Sequence, residues 1–159
     1  MNPTILWFRR DFRLQDHAAL TAAVARGGPI LALFICDEQV ENLGAAPKWR
    51  LGASVAALQA ALLTKGNRLI LRRGCALPIL KALVAETGAN AVYWQRAYDP
   101  TSQSRDRAVK SALLDMDVEA QSFKGHLLFE PWTVQTKAGG FFKVYTPMWN
   151  SVRSRDVPV

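Results

Sequence analysis

Three short segments contain the residue types most suited to chemistry: Phe8-Arg9-Arg10-Asp11, Cys36-Asp37-Glu38 and Gln95-Arg96-Ala97-Tyr98-Asp99. An arginine fork can grip a phosphate through paired hydrogen bonds, and Asp37 could accept from a ribose hydroxyl or a ring N–H. Plainer roles are open to the same residues. Arg9, Arg10, Asp11 and Arg13 can form a structural ion-pair network, Asp37 can cap a loop or helix, and Cys36 can be a small core residue. The chain has neither GxGxxG after its first apolar run nor GxxxxGK[ST], which argues against a dinucleotide dehydrogenase or a P-loop NTPase. It has no GxSxG elbow. His17 and His126 stand far apart without a paired ligand pattern, so no metal is expected, and His17 reads as structural. Nothing assembles an acid, a base and a nucleophile. On these residues alone the chain is a small-molecule binding domain with no catalytic residue.

The elements that must position these segments alternate in type. Ile5–Phe8, Ile30–Ile35, Leu69–Leu71, Ala91–Trp94 and Val118–Phe123 read as five short strands, mostly of the near-continuous apolar kind that a parallel sheet covered on both faces requires. Helical spacing fills the gaps. Asp16 is expected to cap a first helix with Leu20 and Val24 on one face, ending at Gly27-Gly28-Pro29. Leu51, Val55, Leu58 and Leu62 stripe a second helix that should stop at Gly66-Asn67. Pro78 fits the first turn of a third helix, with Leu80 and Val84 on one face and Gly88 at its end. Val109, Leu113 and Met116 stripe a fourth, whose other side shows Arg105, Arg107 and Lys110. The order predicts an α/β fold: a doubly wound, five-stranded parallel sheet, Rossmann-like, with helices on both faces. In such a sheet ligands bind beyond the carboxyl ends of the strands, where the three polar segments lie. Beyond Phe123 the periodicity fails. Trp7 and Trp94 read as core, whereas Trp49, Trp132 and Trp149 are candidates for a pocket wall or a domain interface.

Composition sets wider bounds. The 159 residues are 50% hydrophobic and 21% charged, suiting one globular domain. Twenty Lys and Arg against 13 Asp and Glu leave +7, a surplus that attracts polyanions without choosing among them. No apolar run is long enough to span a membrane, and the N-terminus lacks a secretory pattern, so the expected compartment is the cytoplasm. Cys36 and Cys75 read as buried free thiols in a reducing interior.

Ile5-Leu6-Trp7-Phe8-Arg9-Arg10-Asp11-Phe12-Arg13-Leu14-Gln15-Asp16-His17 closely resembles the opening signature of DNA photolyases and cryptochromes, W-F-R-R-D-L-R-L-x-D-N. Phe12 departs from the usual Leu, and His17 stands where Asn is common. Val92-Tyr93-Trp94-Gln95-Arg96-Ala97-Tyr98-Asp99-Pro100 with Arg105-Asp106 is similar to a second family segment. Leu127-Leu128-Phe129-Glu130-Pro131 and Phe142-Lys143-Val144-Tyr145-Thr146-Pro147-Met148-Trp149 resemble its closing pieces.

The resemblance implies an antenna domain at residues 1–130, then an irregular aromatic-rich tail at 131–159 leading toward a linker and a helical domain that holds FAD. In the parent protein that helical domain would meet DNA and carry out light-driven repair of pyrimidine dimers. The fragment by itself would be inactive, and the apolar face it turns toward the helical domain could drive self-association. A cryptochrome-type photoreceptor domain or a free-standing nucleotide-binding regulatory module are the alternatives. The α/β domain would hold a light-harvesting chromophore. Folate-type members offer a carboxylate near the place of Ser102, which cannot supply an anion. Phe34-Ile35-Cys36-Asp37 is similar to the pattern of members that bind 8-hydroxy-5-deazaflavin or FMN, and Arg50 matches an arginine that could meet a flavin phosphate. The implied antenna is therefore 8-hydroxy-5-deazaflavin or FMN ahead of methenyltetrahydrofolate, held by Phe8, Arg9, Phe34, Cys36, Asp37 and Arg50.

Overall fold

The computed structural model describes residues 1–156, so the last three residues of the expected tail lie outside the described residues. Five strands, β1 (Thr4–Phe8), β2 (Ile30–Cys36), β3 (Leu69–Arg73), β4 (Ala91–Gln95) and β5 (Glu119–Phe123), pair in parallel. Their order is β3-β2-β1-β4-β5, with β1 at the centre. The chain winds outward one way from β1 and then the other, so strand order reverses between β1 and β4. This is the doubly wound α/β sheet that the sequence predicts.

Alternation along β1 divides the core in two. Ile5 and Trp7 face one side with Leu33, Leu80, Leu83, Val92, Trp94, Val109 and Leu113. Leu6 and Phe8 face the other with Ala19, Ala23, Ala32, Phe34, Leu58 and Leu62. The first layer is closed by α4 (Ala76–Thr87) and α5 (Pro100–Leu114), the second by α1 (Ala18–Arg26) and α3 (Ala45–Leu63). Successive side chains of a strand point to opposite faces, which is why near-continuous apolar runs fill both layers.

Several local expectations are corrected. The cap of α1 is His17, whose side chain accepts from the Leu20 N–H, while Asp16 takes a left-handed φ of 47° and projects into solvent. The buried face of α1 is Ala19 and Ala23, not Val24, which is 62% exposed. Small residues there let α1 lie close on the sheet. Met116 falls beyond the end of α5 and is exposed. Cys36 is half-buried against the edge of the second core layer and Cys75 is exposed, so neither thiol is fully buried. Two helices lack a clear sequence signal: α2 (Glu38–Glu41), one turn after β2, and α6 (Tyr145–Val152) inside the segment read as irregular.

The third predicted helix, now α4, ends as its sequence demands. Gly88 closes it in the left-handed region at φ 66°, with its N–H donated to the Val84 carbonyl. A Cβ there costs about 1–2 kcal/mol in backbone energy. Gly88→Ala is therefore expected to destabilise the fold by about 1 kcal/mol, read from urea unfolding at neutral pH.

Candidate functional site

At the carboxyl ends of β1, β2 and β4 the chain builds an ion-pair cluster over the ring of Trp7. Arg9, the residue after β1, sends its guanidinium to both Asp106 oxygens at 2.9 and 2.8 Å and to the Gln95 carbonyl. Arg105, one turn into α5, donates to Asp37 Oδ2 at 2.6 Å and to Asp106 Oδ1 at 3.0 Å. Both guanidinium carbons stand 5.0 Å from the centre of the Trp7 ring, within cation–π range. Asp106 also accepts from the Trp94 indole N–H at 3.1 Å. Burial pulls the Arg9 guanidinium below its ordinary value, against the opposing attraction of Asp106.

Asp37 does two jobs. Its Oδ1 caps α2 by accepting from the Val40 N–H at 3.2 Å, and its Oδ2 receives Arg105. The cap holds α2 over the end of β2, and Ser102 Oγ ties α5 to it by donating to Gln39 Oε1 at 3.1 Å. Asp99 in turn caps α5, and Pro100 sits in the first turn of that helix, where its missing N–H does no harm.

Between these parts lies a cavity of about 70 Å³ bordered by Trp7, Arg9, Phe34, Asp37, Ser102 and Arg105, among others. An adjoining cleft of about 300 Å³ shares Phe34, Val40 and Leu51 with it and continues past Cys36, Gly52, Val55 and Leu71. The Trp7 indole nitrogen is buried and has no hydrogen-bond partner among the described residues. His126, on the rim, has its pKa lowered by partial burial and by Arg9, Arg13 and Arg10, with Asp11 pulling the other way.

Of the residues that the sequence nominated, the structure brings Arg9, Phe34 and Asp37 to one cavity, and Phe34 and Cys36 to the adjoining cleft. Phe8 is fully buried in the core, edge-on to the His17 ring. Arg50 is exposed on α3 and lines neither cavity. The residues that sequence reasoning overlooked are Arg105 and Asp106. Arg105 was expected on the outer side of its helix, yet it sits inside the cluster because two carboxylates and a tryptophan face await it. A signal was available: the Val109–Leu113 stripe, extended backward at helical spacing, reaches Asp106 and Ser102.

Beside the cluster, Asp11 accepts from the backbone N–H groups of Arg9 at 2.8 Å and Arg10 at 3.1 Å, and lies 2.8 Å from His17 Nε2. His17 Nδ1 accepts from Leu20, which leaves Nε2 to face Asp11 in a close contact. The R-R-D stretch thus has both a cavity-facing arginine and a buried structural carboxylate.

The comparisons bear on the whole chain. The DNA photolyase family model matches residues 4–158. A deoxyribodipyrimidine photo-lyase of Agrobacterium fabrum is 46% identical over 98% of this chain, and Cryptochrome-1 of Arabidopsis thaliana is 37% identical over 92%. This chain spans 33% and 22% of those two proteins. A crystal structure of a bacterial class III photolyase from Agrobacterium tumefaciens superposes with a TM-score of 0.93 at 46% identity, covering 98% of this chain and 32% of that one. An archaeal photolyase from Sulfolobus tokodaii shares the fold, with a TM-score of 0.81 at 24% identity, covering 98% of this chain and 36% of that one. With its fold, its ordered motifs and these matches in agreement, the chain belongs to the DNA photolyase family.

Proposed function

We propose that the paired cavity at the ends of β1, β2 and β4 holds the light-harvesting chromophore of a DNA photolyase. The observation that carries this reading is a cavity beside a two-arginine cluster, at the strand-order reversal where open α/β sheets take their ligands. In this reading Phe34 and Leu51 sandwich the edge of a planar ring. Arg9 and Asp37 orient the ring from opposite sides. Bound there, the chromophore would absorb light and pass its excitation to a flavin held elsewhere in the parent protein, whose repair of pyrimidine dimers in DNA belongs to the same proposal. Of the possible antennas, 8-hydroxy-5-deazaflavin or FMN suits the site better than methenyltetrahydrofolate. Ser102, at the place of the folate-type carboxylate, is buried and already bonded to Gln39.

The adjoining cleft supplies the length that the 70 Å³ cavity lacks. Its wall includes Gly52 in the interior of α3, where a Cβ would meet nothing within 4 Å. A mid-helix glycine costs about 0.5–1 kcal/mol relative to alanine, so its absence of side chain opens space without serving the helix. Gly52→Leu is expected to lower chromophore retention at least tenfold while leaving the circular dichroism unchanged.

The direct test is reconstitution of the purified chain with each of the three chromophores, followed by gel filtration, absorbance and mass spectrometry of the released pigment. Retention of a blue-absorbing flavin-type ring supports the reading. Preferential retention of the folate overturns the choice of ring, and retention of none overturns the antenna site. Leu127, Leu128, Phe141, Val144, Tyr145 and Trp149 leave an exposed apolar face on the closing segment. In the same proposal, this face packs against the flavin-binding part of the parent protein, and self-association of the isolated chain follows from leaving it uncovered.

A further inference from the structure

On the neighbouring face of α5 from the cavity already described is a groove of about 560 Å³ between that helix, the ends of β4 and β5, and the closing segment. Its floor includes the buried Trp94, and its wall includes Trp132, which is 57% exposed. Arg96 lies 5.2 Å from the centre of the Trp132 ring. The guanidinium is fixed there by Glu130 at 3.1 Å and by the Ser122 carbonyl at 3.2 Å. Glu130 also accepts from the Tyr98 hydroxyl at 2.9 Å, and burial together with that bond pushes the tyrosine up to about 12. The aromatic wall is thus braced by side chains with their own partners.

Two cations line the same groove without such partners. Arg107 and Lys110, one turn apart on α5, are exposed and form no ion pair among the described residues. Asp106, the acid in the lining, is fully engaged by Arg9, Arg105 and Trp94. A fixed, exposed indole beside two free cations at the mouth of a groove this size fits a planar base carrying phosphate. An uncharged aromatic ligand would leave the cations unused, and a simple polyanion would leave the braced ring unused.

We infer that this groove is a second ligand site, distinct from the chromophore cavity, which takes a nucleotide by stacking its base on the Trp132 face that Arg96 leaves open and holding its phosphates with Arg107 and Lys110. Free mononucleotides and the bases of a single strand share that chemistry. The experiment separates them. Equilibrium dialysis of the chain with ATP, with inorganic triphosphate and with a short oligodeoxyadenylate measures affinity at two salt concentrations. ATP is expected to bind and to lose about tenfold in affinity with Trp132→Ala, with recovery in Trp132→Phe. The Arg107→Ala/Lys110→Ala pair is expected to weaken ATP and flatten its salt dependence. Triphosphate should bind more weakly and ignore Trp132. An oligonucleotide at least tenfold tighter than ATP per site identifies a strand as the source, and equal or weaker binding identifies the free nucleotide. Unchanged ATP affinity in Trp132→Ala, with circular dichroism confirming that the variant is folded, would overturn the assignment. So would triphosphate competing as well as ATP. Because none of these residues borders the chromophore cavity, retention of the antenna ring by the same variants is an independent readout.

Discussion

Asp106→Ala is expected to destabilise the fold by about 3–5 kcal/mol, the usual cost of removing one partner from a buried ion cluster. Asp106 receives Arg9 through two bonds, Arg105 through two more and the Trp94 indole through a fifth. Its side chain and those of Arg9 and Arg105 are between 11% and 19% exposed, so solvent screens the cluster little. Without the carboxylate, two guanidinium groups share the Trp7 face with Asp37 as the remaining acid, and the Trp94 N–H loses its acceptor. Urea unfolding of the variant against Arg107→Ala provides the comparison, because Arg107 is the exposed neighbour and should change stability by less than about 0.5 kcal/mol. Similar midpoints for the two variants would show that the cluster does not hold α5 to the sheet. The same substitution should also abolish antenna retention, since Arg9 would lose its anchor.

The second large effect belongs to Asp11. Three groups converge on its carboxylate, the backbone N–H groups of Arg9 and Arg10 as donors and the His17 ring as a 2.8 Å contact. Asp11→Ala strands all three in a site where the Asp11 side chain is 2% exposed, and a loss of about 3 kcal/mol is expected. The pH dependence follows from the same contacts. Burial alone would raise the Asp11 pKa, but the His17 bond and the backbone N–H of Arg9 outweigh it and hold the carboxyl below its ordinary value of 3.8. A carboxylate depressed in the folded state adds stability that is fully present above the unfolded value. That stability drains away as pH falls through the lower, folded value. Urea midpoints between about pH 2 and pH 7 should therefore show an acid limb in the native chain and a flatter one in Asp11→Asn. An equally steep limb in both would place the acid sensitivity elsewhere.

Much of this architecture was legible because apolar alternation and helix punctuation are local properties. Ile5 to Phe8 alone indicate a strand buried on both faces, and Gly88 marks the end of α4 without reference to the rest of the chain. The misses have a different physical origin. His17 displaced Asp16 as the helix cap because its imidazole serves two masters, the Leu20 N–H and the Asp11 carboxylate, and the second lies outside the helix. Hydrophobicity alone points to Val24 as core, whereas close helix–sheet contact selects the smaller Ala19 and Ala23. Arg105 was placed outward because charge normally means solvent, and only the tertiary arrangement supplies Asp37, Asp106 and the face of Trp7. Arg50 illustrates the converse: the family resemblance matches it to a phosphate-binding position, while the fold leaves it on the exposed side of α3. Phe8 was within one residue of the cavity, but strand alternation sends it to the opposite layer from Trp7.

The position of β1 at the centre of the sheet also shapes how the chain is made. Its partner on one side, β2, begins at Ile30, but its partner on the other, β4, begins only at Ala91. At about 5–20 residues per second, several seconds of synthesis separate the arrival of the two. Through that interval the half-sheet β3-β2-β1 can assemble with α3, while the β4-facing edge of β1 stays open along Ile5, Leu6 and Trp7. An open apolar edge is a template for pairing with another nascent chain. Slowing the ribosome while β3 has emerged and β4 is still inside the exit tunnel should raise co-translational aggregation, and slowing it after β4 has emerged should not.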